Sequence, residues 1–229
     1  MIVDEFRRVI CSQDPYVEAS NPDSGYPHTH LTEGVIRSVF EEVNPSFWLE
    51  LGTMLGGSAL KVADVAAKDG REIGIICVDP FCGDVNMWMW EAELAASGGW
   101  RFLGLVNGRP SIYERFLANV LKAGHEGLIL PIQTTSVVGL RLIQRLFDQG
   151  RISQLPEVIY LDSAHEAGET LIELELAWAV LADGGALCGD DFDWAAVAND
   201  VSLFASRIGV RVDLREGNQW ILWKRTAVG

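Results

Sequence analysis

The sequence is short of positive charge, of cysteine and of long apolar runs, and each shortage excludes a class of protein. Lys and Arg number 18 against 32 Asp and Glu, for a formal net charge of −14, and such a chain repels polyphosphate and anionic lipid unless a basic patch intervenes. Four cysteines without a CxxC pair indicate neither a disulfide scaffold nor a zinc site. No run is long enough to span a bilayer or to form a signal peptide. We therefore expect a cytoplasmic protein that binds no nucleic acid and no membrane.

The pattern of apolar residues indicates one α/β domain. With 229 residues, 48% of them hydrophobic, the chain can bury one sizeable core. Short apolar runs typical of buried strands alternate with stretches of helical periodicity. The predicted strands are Phe47–Leu51, Ile73–Asp79, Leu128–Ile132, Val158–Asp162, Ala186–Asp190, Val210–Asp213 and Gln219–Trp223. The alternation predicts an α/β, Rossmann-like, doubly wound, mostly parallel seven-stranded sheet with an antiparallel C-terminal strand.

Two segments fit this pattern poorly, and they suggest appendages to the domain. We expect residues 1–45 to form an N-terminal helical cap segment, with a helix over Leu31–Val43 that Thr32 can cap, and residues 46–229 to form the main domain. Residues 83–112 fall between two strands and are predicted to form a lid insertion. This insertion carries Trp88, Trp90 and Trp100.

A glycine-rich turn follows the first predicted strand. The sequence Glu50-Leu-Gly-Thr-Met-Leu-Gly-Gly-Ser58 allows the backbone to turn sharply and to approach a ligand closely at Gly52, Gly56 and Gly57. The spacing differs from the G-x-G-x-x-G fingerprint of dinucleotide-binding proteins, because residue 54 is Met. Tight packing between strand and helix is the alternative explanation for these glycines.

Acidic residues end three of the predicted strands. Asp79 lies 27 residues beyond Gly52, near where an adenosine-binding α/β protein places a carboxylate on the ribose hydroxyls, although an Asp-Pro pair also forms turns. Asp162, Asp190 and Asp191 end the fourth and fifth strands, at one edge of a parallel sheet. Clustered carboxylates without a basic partner are the ligands that Mg²⁺ prefers. Capping of the following helix is the alternative role for the Asp190-Asp191 pair.

A histidine lies beside these acids. His165 follows Asp162 by three residues and therefore lies above the same strand end, where a ring of ordinary pKa can accept a proton at neutral pH. The alternative is a loop histidine that only makes a local hydrogen bond. His28 and His30 are expected at the surface, where they would cover the site if the N-terminal segment folds over it.

Together these residues resemble the class I, S-adenosylmethionine-dependent methyltransferases over about residues 46–223. The likeness is greatest to the metal-dependent small-molecule O-methyltransferases of the cephamycin-associated and macrolide-sugar group. The shared pattern is Asp-x-x-His followed by Gly-Gly-x-x-x-x-Asp-Asp, found here at Asp162, His165, Gly184, Gly185, Asp190 and Asp191. Catechol and caffeoyl-CoA enzymes are similar in layout, but they carry Lys in place of His165 and Asp-Asn in place of Asp190-Asp191. The chain therefore departs from their pattern.

The resemblance implies a function and a role for each residue. The reaction would be transfer of the sulfonium methyl group of S-adenosyl-L-methionine to a hydroxyl of a small molecule, a natural product, sugar or aromatic compound. Mg²⁺ or another divalent cation would hold the acceptor oxygen, and His165 would remove its proton. The metal ligands would be Asp162, Asp190 and Asp191. The cofactor would lie against Glu50, Gly52, Thr53, Gly56, Gly57, Ser58, Asp79 and Ser136.

Two other functions are compatible with such a sheet. One is an NAD-dependent oxidoreductase, which the glycine spacing and the Asp190-Asp191 pair disfavour, and the other is a cofactor-binding protein without catalysis. The sequence does not identify the methyl acceptor. Tryptophans of the insertion, and Trp194, could stack on a sugar or a flat ring, but they could equally serve packing or the subunit interface of a homo-oligomer.

Overall fold

The computed structural model describes residues 1–17, 19, 25, 27–97, 103–163 and 165–225, with no side chains described for 94–97. Seven strands form one sheet in the order β3-β2-β1-β4-β5-β7-β6. The strands are β1 (Phe47–Leu51), β2 (Gly74–Asp79), β3 (Ile129–Gln133), β4 (Val158–Leu161), β5 (Ala186–Gly189), β6 (Asp213–Leu214) and β7 (Trp220–Trp223). The first five are parallel, and β7 pairs antiparallel with both β5 and β6. This confirms the predicted fold class.

Eight helices accompany the sheet within the described residues. They are α1 (Ile2–Ile10), α2 (Glu33–Val43), α3 (Gly57–Lys68), α4 (Val85–Ser97), α5 (Ile112–Ala123), α6 (Ser136–Asp148), α7 (Glu169–Val180) and α8 (Ala195–Ile208). One core forms between the sheet and α2, α3 and α5. A second core lies between the opposite face and α1, α6, α7 and α8. The sheet is therefore covered on both faces, as its parallel strands require.

The continuous apolar runs of the strands follow from these two cores. In β1, Trp48 points into the α2–α3–α5 core, whereas Phe47, Leu49 and Leu51 point into the other. All five residues of β1 are buried, because successive side chains of a strand alternate between the faces. The buried Glu50 shares the face of Trp48, and it stands out as a charged residue among apolar ones.

The N-terminal segment contains a helix whose limits the sequence analysis did not give. Helix α1 packs onto β2 and β3 through Ile2, Val3 and Phe6, which are buried in the second core. Val9 and Ile10 pack against the same core, so apolar residues recur at helical spacing over all nine positions. Helix α2 begins at Glu33 rather than at Leu31, because Thr32 is its N-cap and the Thr32 hydroxyl accepts a hydrogen bond from the Val35 N–H at 3.2 Å.

Two other predicted segments have different limits in the structure. The strand predicted over Val210–Asp213 begins only at Asp213, because the Val210 N–H caps α8 by donating to the carbonyl of Ala205 at 3.0 Å. The predicted lid region 83–112 contains α4 and leads into α5, and its Trp100 lies outside the described residues. None of the helices in the described ranges is long and apolar enough to cross a membrane.

Candidate active site

The glycine-rich turn after β1 is in backbone contact with the neighbouring strand ends. The Gly52 N–H donates to the carbonyl of Val78 in β2 at 2.9 Å. Gly52 has a φ of +79°, and a Cβ at this position would overlap the backbone of Asp162 and Ser163. Glycine is therefore required here for both its conformation and its size. The predicted cofactor turn thus lies directly against the loop that carries the predicted metal ligands.

Asp79 holds the turn in place. Its Oδ2 accepts hydrogen bonds from the backbone N–H groups of Thr53 and Met54, each at 2.8 Å, and its Oδ1 accepts from the Phe81 N–H at 2.5 Å. Asp79 therefore stabilises a turn and also lies beside the glycine-rich segment. An ionised carboxylate has about four acceptor positions, so one on Oδ1 is left for a ligand.

Glu50 is a fully buried carboxyl group below the turn. Its Oε1 accepts a hydrogen bond from the Ser58 hydroxyl at 2.8 Å. The Thr53 hydroxyl and the Ala59 N–H lie close enough to the carboxyl group to lower its pKa, but among the described residues Oε2 has no partner with good hydrogen-bond geometry. Burial raises the pKa of Glu50 to about 7, and the carboxylate of Asp79 adds to the increase. An orphaned buried carboxylate oxygen is costly, and a cationic ligand would compensate it.

The N-terminal segment crosses the start of α3. A Cβ at Gly57 would overlap the backbone of His28, while Gly56 precedes α3 as its N-cap. His28 and His30 are exposed, with ring centroids 4.8 Å apart. Burial raises the pKa of Asp190, and His30 lies close enough to that carboxyl group to offset part of the increase. The segment therefore covers one side of the site, as the sequence analysis allowed. Close chain packing accounts for glycine at position 57 without a ligand.

Three of the predicted site residues converge at the ends of β4 and β5. Asp162, His165 and Asp191 offer ligand atoms that lie within 4.8 Å of one another. Burial raises the pKa of Asp162 well above its usual range, and the carboxylates of Asp190 and Asp191 raise it further. A divalent cation bound here would relieve this repulsion.

Asp190 is not one of these three ligands, although its carboxylate lies near enough to Asp162 to raise the pKa of that residue. Asp190 is buried, its Oδ1 accepts a hydrogen bond from the Asp191 N–H at 2.8 Å, and its carboxylate also bonds to the side chain of Gln219. The backbone carbonyl of Asp190 accepts from the indole N–H of Trp220 at 2.9 Å. In this arrangement Asp190 supports the loop that presents Asp191.

His165 is clamped between two carboxylates and a tryptophan. Hydrogen bonds join its Nε2 to Asp191 Oδ2 at 2.8 Å and its Nδ1 to Asp84 Oδ2 at 3.1 Å. The ring also packs against Trp194, with centroids 5.3 Å apart. The bonds to Asp191 and Asp84 raise the pKa of His165 to about 10. The imidazole is therefore protonated here and donates from both nitrogens, unlike the ring of ordinary pKa that we expected.

Unusual backbone conformations cluster at this edge of the sheet. Apart from asparagines, the described residues include three non-glycine positions with positive φ: Met54 at 47°, Phe81 at 55° and Asp191 at 61°. They follow β1, β2 and β5, respectively, and two of them donate their N–H groups to Asp79. Such conformations persist where surrounding contacts determine them, typically at functional sites.

Ser136 and the tryptophans occupy other places. Ser136 begins α6, and its hydroxyl bonds to Glu173 of α7, which also accepts from the Ser163 hydroxyl at 2.6 Å. Trp88 and Trp90 are exposed on α4, so neither serves the core.

Asp84 is the functional candidate that sequence reasoning missed. Besides binding His165, it accepts a hydrogen bond from the Met87 N–H at 2.7 Å through Oδ1, as a helix N-cap does. An Asp before a helical stretch is a signal for such a cap, but it does not indicate contact with a residue 81 positions later.

Comparison with known proteins agrees with this geometry. A family model described as a methyltransferase domain matches residues 49–192, which span the turn and the acids after β4 and β5. No curated protein has a significant match to the sequence.

Solved structures of methyltransferases share the fold. The calicheamicin methyltransferase CalS11 is 15% identical with a TM-score of 0.56, over 97% of this chain and 90% of its own. The O-methyltransferase TomG from Streptomyces achromogenes, which is involved in tomaymycin synthesis and was solved with S-adenosylmethionine, is 12% identical with a TM-score of 0.57, over 96% and 94%. A putative caffeoyl-CoA O-methyltransferase from Staphylococcus aureus is 13% identical with a TM-score of 0.55, over 97% of both chains.

The family match covers more than half of the chain and includes the site assembled above. The chain therefore belongs to the methyltransferase domain family, which confirms the class I, S-adenosylmethionine-dependent methyltransferase expected from its sequence.

Proposed function

We propose that the chain transfers a methyl group to a hydroxyl oxygen of a small molecule with the help of a divalent cation, for which Mg²⁺ is the first candidate. The observation that carries this proposal is the convergence of Asp162, His165 and Asp191 beside the loop after β4, which contacts the glycine-rich turn at Gly52. Cofactor, cation and proton acceptor would then share one edge of the sheet.

The donor set suits a hard divalent cation. Asp162 and Asp191 supply carboxylate oxygens, which Mg²⁺ and similar cations prefer. Burial raises the pKa of Asp162, and the neighbouring carboxylates raise it further, so a bound cation would favour the ionised form of this group. Asp190 stays a predicted ligand, and it would reach a cation only after its carboxylate leaves the Asp191 N–H.

The cofactor would lie along the turn. Glu50, with its free Oε2 and its bond to Ser58, would attract the cationic methionine end. Thr53 and Gly52 present the backbone of the turn, and Asp79 would use its remaining acceptor position for the ribose. For Ser136, contact with the adenine requires its hydroxyl to leave Glu173. Gly56 and Gly57 would keep the start of α3 close to the ligand.

The chain's own groups would bind and orient the reactants. When bound, the cofactor supplies the methyl group and a divalent cation lowers the pKa of the acceptor hydroxyl. Much of the rate of such a displacement comes from positioning, which Asp162 and Asp191 would provide from the ends of two neighbouring strands. His165 would accept the hydroxyl proton through Nε2 after that atom has left Asp191 and released its own proton to solvent.

The acceptor is proposed to be a hydroxylated small molecule with an apolar or flat portion. CalS11 is described as a TDP-rhamnose 3′-O-methyltransferase, and TomG acts in tomaymycin synthesis. The exposed Trp88 and Trp90 follow directly on Asp84, which contacts His165, and they could stack on a sugar or ring. We accordingly propose residues 83–112 as a lid and 1–45 as a cap over the domain 46–229. Exposed aromatics here would serve a homo-oligomer as well.

Transfer of a labelled methyl group tests the function. We would incubate the protein with labelled S-adenosylmethionine, Mg²⁺ and two probe acceptors, TDP-rhamnose and catechol, with and without a chelator. We expect transfer to the sugar that stops in chelator and resumes when Mg²⁺ is restored. Activity that persists in chelator would refute the cation requirement. Calorimetric binding of NAD without binding of S-adenosylhomocysteine would refute the methyltransferase itself.

A further inference from the structure

The carboxylate of Asp84 connects the start of α4 with the ring of His165. Oδ1 accepts from the Met87 N–H at 2.7 Å, and Oδ2 contacts His165 Nδ1 at 3.1 Å. Both side chains are largely buried, with 25% of Asp84 and 16% of His165 exposed. One side chain thus binds the first turn of α4 and the histidine at the same time, and each carboxylate oxygen has its own partner.

The ring of His165 is held from three directions. Asp84 binds Nδ1, Asp191 binds Nε2 at 2.8 Å, and Trp194 packs against the ring. Asp191 belongs to the group that can hold a cation, so its bond to Nε2 is the one that cation binding would replace. Asp84 is not in that group and can keep Nδ1 when Asp191 turns to a cation.

A carboxylate on one nitrogen of an imidazole determines which nitrogen carries the proton. An ionised carboxylate accepts hydrogen bonds but donates none, so Asp84 requires a proton on Nδ1. When a cation draws Asp191 away and the ring gives up its second proton, Nε2 is the nitrogen left with a free lone pair at the reactive edge.

We propose that Asp84 is a positioning residue that keeps the proton of His165 on Nδ1 and ties the orientation of the ring to the start of α4. The inference rests on the proposed function, in which His165 accepts the hydroxyl proton. Helix α4 continues from Asp84 with the exposed apolar residues Val85, Trp88, Met89 and Trp90. A molecule that moves or orders this helix would thereby change the placement of the base.

The replacement Asp84→Asn tests the proposal because its geometry is constrained. Asn is as good an N-cap as Asp, so the amide oxygen takes the place of Oδ1 at the Met87 N–H. The amide NH₂ then faces His165 Nδ1 and requires that atom to be unprotonated, so that the ring holds its proton on Nε2 instead. Helix α4 remains capped while the tautomer of the ring is reversed.

Side-chain ¹⁵N NMR of the metal-free protein reads the tautomer directly. In the wild type we expect His165 Nδ1 to resonate as a protonated nitrogen, and in Asp84→Asn we expect it to shift to an unprotonated, pyridine-type position. Asp84→Glu should restore the wild-type signals. Asp64→Asn is the matched control, because Asp64 binds a histidine elsewhere, His125 at 2.7 Å, and should alter only that ring. Unchanged His165 signals in Asp84→Asn would overturn the proposal.

Kinetics provide a second readout. With TDP-rhamnose as acceptor, Asp84→Asn should lower kcat about 10²- to 10³-fold without a change in KM or in affinity for S-adenosylhomocysteine, and an unchanged kcat would also overturn the proposal. The two proposals can fail separately. If the wild type shows the expected NMR signals but neither binds S-adenosylhomocysteine nor transfers methyl groups, then the proposed function is wrong and the role of Asp84 in placing the proton of His165 is still supported. If Asp84→Asn does not fold, Asp84→Ser keeps a capping hydroxyl, removes the carboxylate and should likewise change the His165 signals.

Discussion

The backbone of His28 lies against the α-carbon of Gly57, so that the N-terminal segment and the first turn of α3 touch without an intervening side chain. The segment is also attached just beyond this contact, at Leu31 and Thr32. Lys61 of α3 donates to the carbonyl of Leu31 at 2.8 Å, and the Thr32 hydroxyl donates to Glu216 at 2.6 Å. The residues before α2 are therefore part of the wall of the site.

Replacement of Gly57 by Ala should separate these two segments. The added Cβ overlaps backbone atoms of His28, which cannot rotate away, so we expect a loss of about 1–3 kcal/mol in the free energy of unfolding, measured in urea. Gly127→Ala is the control, since a Cβ there meets nothing within 4 Å, and it should change stability by less than about 0.5 kcal/mol. Equal stabilities of the two variants would show that the contact is loose.

Glu50 should make stability depend on pH. Its pKa is raised from 4.5 to about 7 by burial, so between these values the folded protein holds a proton that the unfolded chain has released, and stability falls as pH rises. The Glu50→Gln protein has no titrating group at this position, so its stability does not fall in this way as the pH rises. Relative to the wild type, the variant should therefore gain about 3 kcal/mol in the free energy of unfolding between pH 4 and pH 8.

The same measurement on Glu41→Gln is the control for Glu50. Glu41 is exposed on α2, so its replacement removes a carboxylate that solvent already surrounds. A Glu50→Gln protein whose unfolding varies with pH as the wild type does would contradict a buried, protonated Glu50.

Replacement of Asp191 should abolish cation-dependent transfer and leave the fold intact. Asp191 is partly exposed, with 28% of its side chain accessible, and it lies outside both apolar cores. We expect Asp191→Ala to lose Mg²⁺ binding in calorimetry and methyl transfer in the labelling assay, with an unchanged far-UV circular dichroism spectrum. Asp193→Ala removes an exposed neighbouring carboxylate and should retain both Mg²⁺ binding and methyl transfer. A similar loss in both variants would show that the effect comes from the total negative charge of the region and not from a metal ligand.

Cation affinity should increase with pH. His165 holds a proton with a pKa of about 10, and the pKa of Asp162 is also well above its usual range. A cation that binds Asp162 and Asp191 must displace these protons, because it takes the place of the imidazolium beside Asp191. Titration calorimetry with Mg²⁺ between pH 6 and pH 9, in buffers of different ionisation enthalpy, should show tighter binding and proton release. His165→Asn should release fewer protons, and pH-independent affinity would contradict the competition.

Local patterns of sequence determined the sheet and the region of the site. Buried strands appear as apolar runs that end in Asp79, Asp162 and Asp190, and parallel strands place their carboxyl ends together. For this reason the sequence alone assigns three features to one edge of the sheet: the glycine-rich turn, the acids after β4 and β5, and His165. The family resemblance followed from the same residues.

The tertiary structure decided which of these groups face one another. Asp190 and Asp191 are adjacent in sequence, but only Asp191 joins Asp162 and His165 in the group of close ligand atoms, whereas Asp190 is buried and accepts a hydrogen bond from the Asp191 N–H. Asp84 reaches His165 across 81 positions, and His28 reaches Gly57 through a segment without a periodic pattern. Contacts of this kind depend on how loops pack around the sheet, and side-chain periodicity carries no information about loop packing. The sequence by itself thus determined the sheet and the edge that carries the chemistry, whereas the protonation of His165 and the direction of each carboxylate arise only from packing in three dimensions.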